Sequence, residues 1–425
     1  MFNYILRHKL FKNTFAYTFF DVARSAIPFL LLPVLTRYLT PSDYGIVAIF
    51  QVLLPMMVVF VGLNMYGAVA VNFFKIEKQK IKIYIGNVIF ILLASFVLTF
   101  AIIYIFKNPL ANLIKFPDNW LVLLPAIALF QSVFTVAITI WQVEQKPLPY
   151  GILQILNTIL NVGLSLFFIV VLNLGWEGML LGTAITSVVF GIISIVLLCK
   201  KQYVKLSFNK NYVKDASFYG ISLIPNSLGG WIMTGIDRFF ISSMVGIAAV
   251  GIYTVGYQVG MIISLLAASF NRAWVPFLFE KLKENNYSAK IKIVKFTYLY
   301  NMGIIILALF LGFIAPYFLK IFVTASFYST YKYVIWVALG YAFMGMHHMV
   351  ANYIFYVKKT YILAWITFFS ACVNIVLTYI FIKVNGPIGA AQATTVTFFV
   401  SFVLTWILSA RVYSMPWFKI KKIIQ

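Results

Sequence analysis

Three residues in the first apolar stretch of the chain have types and a spacing that suit the binding of an anion. Asp21, Arg24 and Pro28 are separated by three and four positions, so a helix places them on one face. A guanidinium group binds a phosphate through two parallel hydrogen bonds. A charge at membrane depth costs about 2.5–3.5 kcal/mol on insertion scales and normally faces a cavity or a pathway. We predict that Arg24 binds an anionic headgroup and that Asp21 holds it in place; the alternative is an internal pair that only makes the segment insertable.

Proline and glycine residues mark two segments of the chain as candidates for bending. Pro28 interrupts the first apolar stretch, and a proline inside a helix removes one backbone hydrogen bond and permits a kink. The segment 216–243 repeats this pattern with Pro225, Gly229 and Gly230. We predict that these four residues act in gating.

Further charged residues lie near the ends of apolar stretches. Asp237 and Arg238 fall by length near the outer end of the segment 216–243, where either a pair that snorkels to the interface or a binding site fits the position. Arg37 lies at the outer end of the first stretch, and Arg272 lies at the inner end of the eighth. All four are candidate members of the anion site, with Arg37 and Arg238 at its rim. The positive-inside bias alone also explains the position of Arg272 at the inner end of a span.

The composition identifies the elements that must position these residues. The 425-residue chain is 63% hydrophobic and 10% charged, whereas soluble domains carry roughly 25% charged residues. Twelve apolar stretches are long enough to cross a bilayer as helices, at 14–37, 44–73, 83–106, 119–142, 148–172, 176–199, 216–243, 248–271, 293–316, 331–356, 361–383 and 388–410. The sequence therefore predicts an all-α integral membrane protein with twelve transmembrane helices.

The positive charge of the chain predicts its orientation. The net charge of +23 would indicate a nucleic-acid partner in a soluble protein, but here topology explains it and no nucleic acid is expected. With the N-terminus inside, 25 of the 33 Lys and Arg residues fall on the cytoplasmic side and seven fall on the other. Because positive residues accumulate in cytoplasmic loops, both termini are predicted to be cytoplasmic.

The chain repeats itself, which predicts two lobes. At an offset of 211 residues, Gly175 matches Gly386 and Gly178 matches Gly389, so the fifth and sixth spans resemble the last two. An even number of spans per repeat makes the two halves parallel. We predict an N-terminal lobe over 1–199, a basic cytoplasmic linker over 200–214 and a C-terminal lobe over 215–425.

Enzymatic constellations are missing from the sequence. There is no Gly-rich nucleotide loop ending in Gly-Lys-Ser/Thr and no His-Glu-x-x-His, so we predict neither catalytic residues nor a cofactor. His347 and His348 are adjacent and point to different helix faces, which predicts polar residues in a helix interface and not a metal site. No outer connection is long enough for the site of a glycan polymerase. Transport is therefore the favoured activity.

The first helix and the turn after it resemble a known family. The turn LTPSDYG at Leu39–Gly45, followed by a helix, and GIY at 251–253 are similar to the polysaccharide transporter (O-antigen flippase) family, within the multidrug/oligosaccharidyl-lipid/polysaccharide exporter superfamily. The resemblance implies two six-helix lobes around a central cavity. It also implies that undecaprenyl-diphosphate-linked oligosaccharide, such as an O-antigen (lipopolysaccharide), capsule or exopolysaccharide repeat unit, is moved from the cytoplasmic to the outer leaflet of the bacterial inner membrane by alternating access. Arg24 matches the family's cationic cavity residues best.

Partners and competing functions follow from this resemblance. A glycan polymerase and a chain-length regulator are expected partners, and H⁺ or Na⁺ is a candidate coupling ion at Asp21 or Asp237. An ion-coupled multidrug antiporter of the same superfamily is the first competing function, because it would use such a carboxylate. A lipid II flippase, which usually has extra spans, and a polytopic glycan polymerase also compete with the favoured function.

Overall fold

The computed structural model describes residues 27, 29 and 31–417, and these residues are largely helical. Residues 31–38 form the described part of helix α1. The other helices are α2 (Pro41–Gly62), α3 (Met65–Asn72), α4 (Lys78–Ile114), α5 (Asp118–Val143), α6 (Pro147–Leu166), α7 (Gly175–Lys200), α8 (Lys210–Met244), α9 (Ile247–Gly260), α10 (Ile262–Glu284), α11 (Tyr287–Phe322), α12 (Tyr331–Tyr356), α13 (Tyr361–Asn385) and α14 (Pro387–Val412).

Ten of the predicted spans correspond to described helices that are long and apolar enough to cross a membrane. The predicted seventh span lies in α8, which is 35 residues long but less apolar than the others. Most of the predicted first span lies outside the described residues. The turn predicted at Leu39–Gly45 is shorter than expected, because α2 already begins at Pro41. Proline suits the first position of a helix, where its missing N–H has no helical partner to lose.

Two of the predicted spans are interrupted. The second span is divided into α2 and α3 at Leu63 and Asn64, whose φ angles are 44° and 52°. Gly220 of α8 packs directly against the carbonyl oxygen of Leu63, so a side chain at position 220 would collide with it. The eighth span is divided into α9 and α10 at Met261.

The internal contacts divide the chain into two compact units. Of the described residues, unit 1 contains 27 and 43–231, and unit 2 contains 29, 31–42 and 232–417. The boundary between the two units lies inside helix α8, between Trp231 and Ile232. The linker predicted at 200–214 lies elsewhere in the chain. The first turns of α8 belong to unit 1, where Asp215 accepts hydrogen bonds from Tyr84 at 2.9 Å and from Asn72 at 3.1 Å.

The segment 201–209 is docked on helix α4 of unit 1. Asn87 donates to the carbonyl oxygen of Ser207 and accepts from the backbone N–H of Asn209, both at 2.8 Å. The Tyr203 hydroxyl donates to Glu144 at 2.7 Å. Burial, reinforced by that carboxylate, raises the pKa of Tyr203, so the phenol stays protonated and keeps donating.

Unit 2 is built around helix α12, which packs against α9, α10, α11 and α14. Residues 29–42 join this unit through the C-terminal end of α11 and the turn that follows it. The ring of Phe29 stacks on Phe318 at 5.9 Å, and Thr324 donates to the carbonyl oxygen of Thr36 at 2.8 Å. These contacts make the end of the first span part of unit 2.

The repeat predicted at an offset of 211 residues is confirmed in the hairpins α6–α7 and α13–α14. Gly175 and Gly386 both adopt positive φ angles, 55° and 63°, at the turns before α7 and α14. A Cβ atom on Gly178 would lie 3.0 Å from the backbone of Phe168, and one on Gly389 would lie 2.0 Å from the carbonyl oxygen of Phe381. In both hairpins, glycine therefore permits the turn and the close approach of the two helices.

Candidate functional site

Three predicted site residues of the first span lie outside the described residues: Asp21 and Arg24, predicted to bind the anion, and Pro28, predicted to act in gating. Their roles stay predictions. Among the other predicted site residues, Arg37 and Arg272 are exposed, and so are Pro225 and Gly230 of α8. Their roles in substrate binding and gating also stay predictions.

The predicted pair Asp237 and Arg238 forms a buried ion pair in α8. The side chain of Asp237 is 2% exposed and that of Arg238 is 6% exposed, with 2.7 Å between Nη1 and Oδ1. The same Nη1 donates to the carbonyl oxygen of Thr234 at 2.6 Å. The interpretation as a snorkelling interfacial pair is therefore wrong, because the guanidinium curls back along its own helix and does not reach out to the surface.

Three tyrosines from neighbouring helices of unit 2 enclose this ion pair. Arg238 lies over the ring of Tyr257 at 3.8 Å and near that of Tyr253 at 5.2 Å. The Tyr253 hydroxyl donates to the second oxygen of Asp237. Tyr341 of α12 forms a hydrogen bond with Tyr257 at 2.6 Å. We call these five residues the tyrosine-ion cluster; it joins α8, α9 and α12.

The two charges of the tyrosine-ion cluster are paired with each other, although Nε of Arg238 has no hydrogen-bond partner among the described residues. A buried carboxylate and guanidinium are tolerated when they are paired and hydrogen-bonded, and an aromatic face stabilises a desolvated cation. The arrangement therefore suits the fixing of three helices better than the capture of a mobile ligand.

The sequence pattern pointed to Asp237 and Arg238 but missed the tyrosines. Tyr253 and Tyr257 are four positions apart, which places them on one helix face and is a signal that the sequence contains.

Polar side chains in unit 1 converge on a cavity of about 140 Å³ between α5, α6 and α7. Gln131 donates to Ser187 at 3.1 Å, and Asn161 donates to Thr183 at 3.2 Å. Each of these hydrogen bonds joins two helices. Gln154 also lines this cavity and was missed, although its spacing of seven from Asn161 places both on one helix face.

His347 also behaves as predicted, as a polar residue of a helix interface. Nδ1 of His347 on α12 lies 3.0 Å from the Thr405 hydroxyl of α14. Within residues 31–417, no three His, Cys, Asp or Glu side chains come together in a group that could hold a metal ion.

Comparison with solved structures gives the class of the fold. The chain superimposes on the lipid II flippase MurJ, in an inward closed conformation, with a TM-score of 0.72 at 17% identity, covering 99% of this chain and 89% of that one. A mutant of the Vibrio cholerae MATE transporter VcmN gives a TM-score of 0.65 at 14% identity, covering 96% and 97%. The protein is therefore a multi-pass membrane protein with the twelve-helix, two-lobe fold of these transporters, as predicted.

Comparison of sequences gives the family. Residues 10–282 match the polysaccharide biosynthesis protein family, and the chain belongs to that family. An uncharacterized membrane protein of Haemophilus influenzae is 28% identical over 356 residues, which are 83% of this chain and 85% of that protein. The capsular polysaccharide biosynthesis protein CapF of Staphylococcus aureus is 25% identical over 323 residues, 71% of this chain and 75% of that protein. The predicted resemblance is confirmed at this level.

Proposed function

We propose that this protein is a flippase that moves undecaprenyl-diphosphate-linked oligosaccharide from the cytoplasmic to the outer leaflet of the bacterial inner membrane. Membership of the polysaccharide biosynthesis family carries the proposal. The name of CapF associates that relative with capsular polysaccharide biosynthesis, and MurJ, which shares the fold, is named a lipid II flippase. The protein acts as a transporter with both termini cytoplasmic, and a glycan polymerase and a chain-length regulator are its expected partners.

The distribution of carboxylates favours an anionic substrate over the cationic drug of an antiporter. Coupling to a cation requires a carboxylate within a span that is free to bind it. Among the described residues, Asp237 is the buried acidic side chain; Arg238 neutralises its charge, and Tyr253 donates a hydrogen bond to it. The other described carboxylates lie near helix ends, so Asp21 remains the candidate for a coupling site.

The membrane potential supplies a driving force for this transport. An inside-negative potential favours outward movement of an anion by about 2.3 kcal/mol per charge per 100 mV. If Arg24 and neighbouring cations neutralise the diphosphate, the empty carrier returns by moving positive charge inward, which the potential also favours. The cycle then needs no nucleotide hydrolysis.

Substitution of Arg24 tests the proposal. Arg24→Ala should abolish surface glycan in a strain that lacks the wild-type protein, because the diphosphate loses its bidentate partner, while Arg24→Lys should retain part of the activity. Arg411→Ala is the matched control, because this arginine is exposed at the end of α14. Membrane insertion of each variant is checked by fractionation and blotting.

Two results would contradict the proposal. Normal surface glycan with correctly inserted Arg24→Ala would exclude the anion-binding role of Arg24. In proteoliposomes that contain the lipid-linked oligosaccharide, full flipping without a potential or an ion gradient would exclude the electrical driving force.

A further inference from the structure

A cavity of about 620 Å³ lies along α10 and α11 of unit 2, where α10 ends and α11 begins. One wall is aromatic: Trp274 stacks with Phe296 at 4.8 Å and with Phe270 at 6.1 Å, and Phe277 continues the wall. Trp274 is buried, while Phe277 and Phe296 are 47% and 39% exposed. We call these four residues the aromatic trough. Its volume falls within the range of about 300–1,000 Å³ that is typical of ligand pockets.

The open end of this cavity is polar and carries an uncompensated positive charge. Lys281 forms an ion pair with Glu284 at 2.8 Å, whereas Lys292 makes no ion pair in the described part of the chain. The lining therefore holds two lysines against one carboxylate. The N-terminus of the 36-residue helix α11 lies at the same end of the cavity, where Asn286 and Ser288 form part of the lining. Asn286 caps this terminus by accepting a hydrogen bond from the backbone N–H of Ser288 at 2.9 Å, and the helix dipole adds partial positive charge.

We infer that this cavity binds a monoanionic phospholipid, with one acyl chain along the aromatic trough and the phosphate beside Lys292. An apolar trough with a cationic end matches an amphiphile whose charge is at one end. The single uncompensated lysine matches the single negative charge of a phosphodiester. It does not match a diphosphate carrier, which carries more negative charge. The lipid packs against both α10 and α11. This lipid site is distinct from the proposed site of the glycan carrier, and the inference does not depend on the proposed flippase activity.

Quenching of tryptophan fluorescence by brominated lipids tests this inference. The purified full-length chain in detergent is titrated with phosphatidylglycerol brominated on its acyl chains, against a background of unlabelled phosphatidylcholine. The difference between wild type and Trp274→Phe isolates the signal from the aromatic trough. We expect this signal to be quenched at saturation by brominated phosphatidylglycerol, and to be quenched much less by brominated phosphatidylcholine at the same concentration.

Two variants of α11 separate a specific site from general attraction to charge. Lys292→Gln should weaken the apparent affinity for phosphatidylglycerol about fivefold, since a lysine near an anionic lipid surface contributes about 1 kcal/mol. Lys295→Gln is the matched control: Lys295 is exposed three positions later on the same helix and does not line the cavity. It should bind as wild type does.

Two outcomes would overturn the inference. Equal quenching by the two brominated lipids would exclude selection of the headgroup. Equal weakening by Lys292→Gln and Lys295→Gln would mean that only the general basic charge of the surface attracts the lipid. Neither outcome bears on flipping, because no transport is measured.

Discussion

Replacement of Arg238 by methionine tests whether the tyrosine-ion cluster stabilises unit 2. The side chain of Arg238 is 6% exposed and that of Asp237 is 2% exposed, so the variant leaves a carboxylate buried without its cation. Breaking one side of a buried pair destabilises a protein by roughly 3–5 kcal/mol. Loss of the contact with the Tyr257 ring at 3.8 Å contributes to this, since a desolvated cation–π contact is worth about 2 kcal/mol. We expect the free energy of unfolding to fall by about 4 kcal/mol.

A double-mutant cycle measures the coupling directly. Arg238→Met, Asp237→Asn and the double variant are unfolded reversibly by SDS in mixed micelles, with tryptophan fluorescence as the probe. The double variant should be more stable than Arg238→Met, because no unpaired charge is then buried. Arg411→Met at the exposed end of α14 should change the free energy of unfolding by less than about 0.5 kcal/mol.

Two results would refute this reasoning. If Arg238→Met is no more destabilising than Arg411→Met, the guanidinium does not stabilise the buried carboxylate. If the effects of the two single substitutions simply add in the double variant, Asp237 and Arg238 are not energetically coupled, despite their distance of 2.7 Å.

Two further predictions concern the packing of each unit. Gly389→Ala should destabilise the protein by about 1–3 kcal/mol, because the new Cβ would lie 2.0 Å from the carbonyl oxygen of Phe381. The control is Gly303→Ala: Gly303 has open space around it, so this variant should be neutral or slightly stabilising in the same SDS titration. Asn87→Ala should speed amide hydrogen exchange over 205–209, because it removes two of the hydrogen bonds that hold this segment on α4 and leaves the one from the backbone N–H of Lys205 to the carbonyl oxygen of Lys82. Exchange at the wild-type rate would contradict that anchoring, and the exposed Gln79→Ala of the same helix serves as its control.

Helix positions followed from local sequence. The predicted span 331–356 coincides with α12, Tyr331–Tyr356, because apolar length and the flanking polar residues together determine where a helix enters and leaves a bilayer. The interruptions at Leu63–Asn64 and Met261 were not predicted. No proline or glycine occupies these three positions, and the break between α2 and α3 is accommodated by close contact with Gly220, which is distant in sequence.

The candidate site was predicted less completely. Asp237 and Arg238 stand out in the sequence because charges are rare inside spans, but their position along the helix suggested exposure to the interface. Burial depends on which helices lie alongside, and here α9 and α12 bring Tyr253, Tyr257 and Tyr341 around the pair. A periodic pattern identifies the face on which a side chain lies and does not identify what covers that face.

The sequence by itself determined the class of this protein, its spans and the pair of glycines at each repeated hairpin, because hydropathy and backbone freedom are local properties. Only the tertiary structure decided that helix α8 is shared between two compact units and that Arg238 is enclosed by tyrosines. It also decided that an aromatic trough meets Lys292. Each of these features depends on contacts between residues far apart in the chain, and those contacts are set by how whole helices pack.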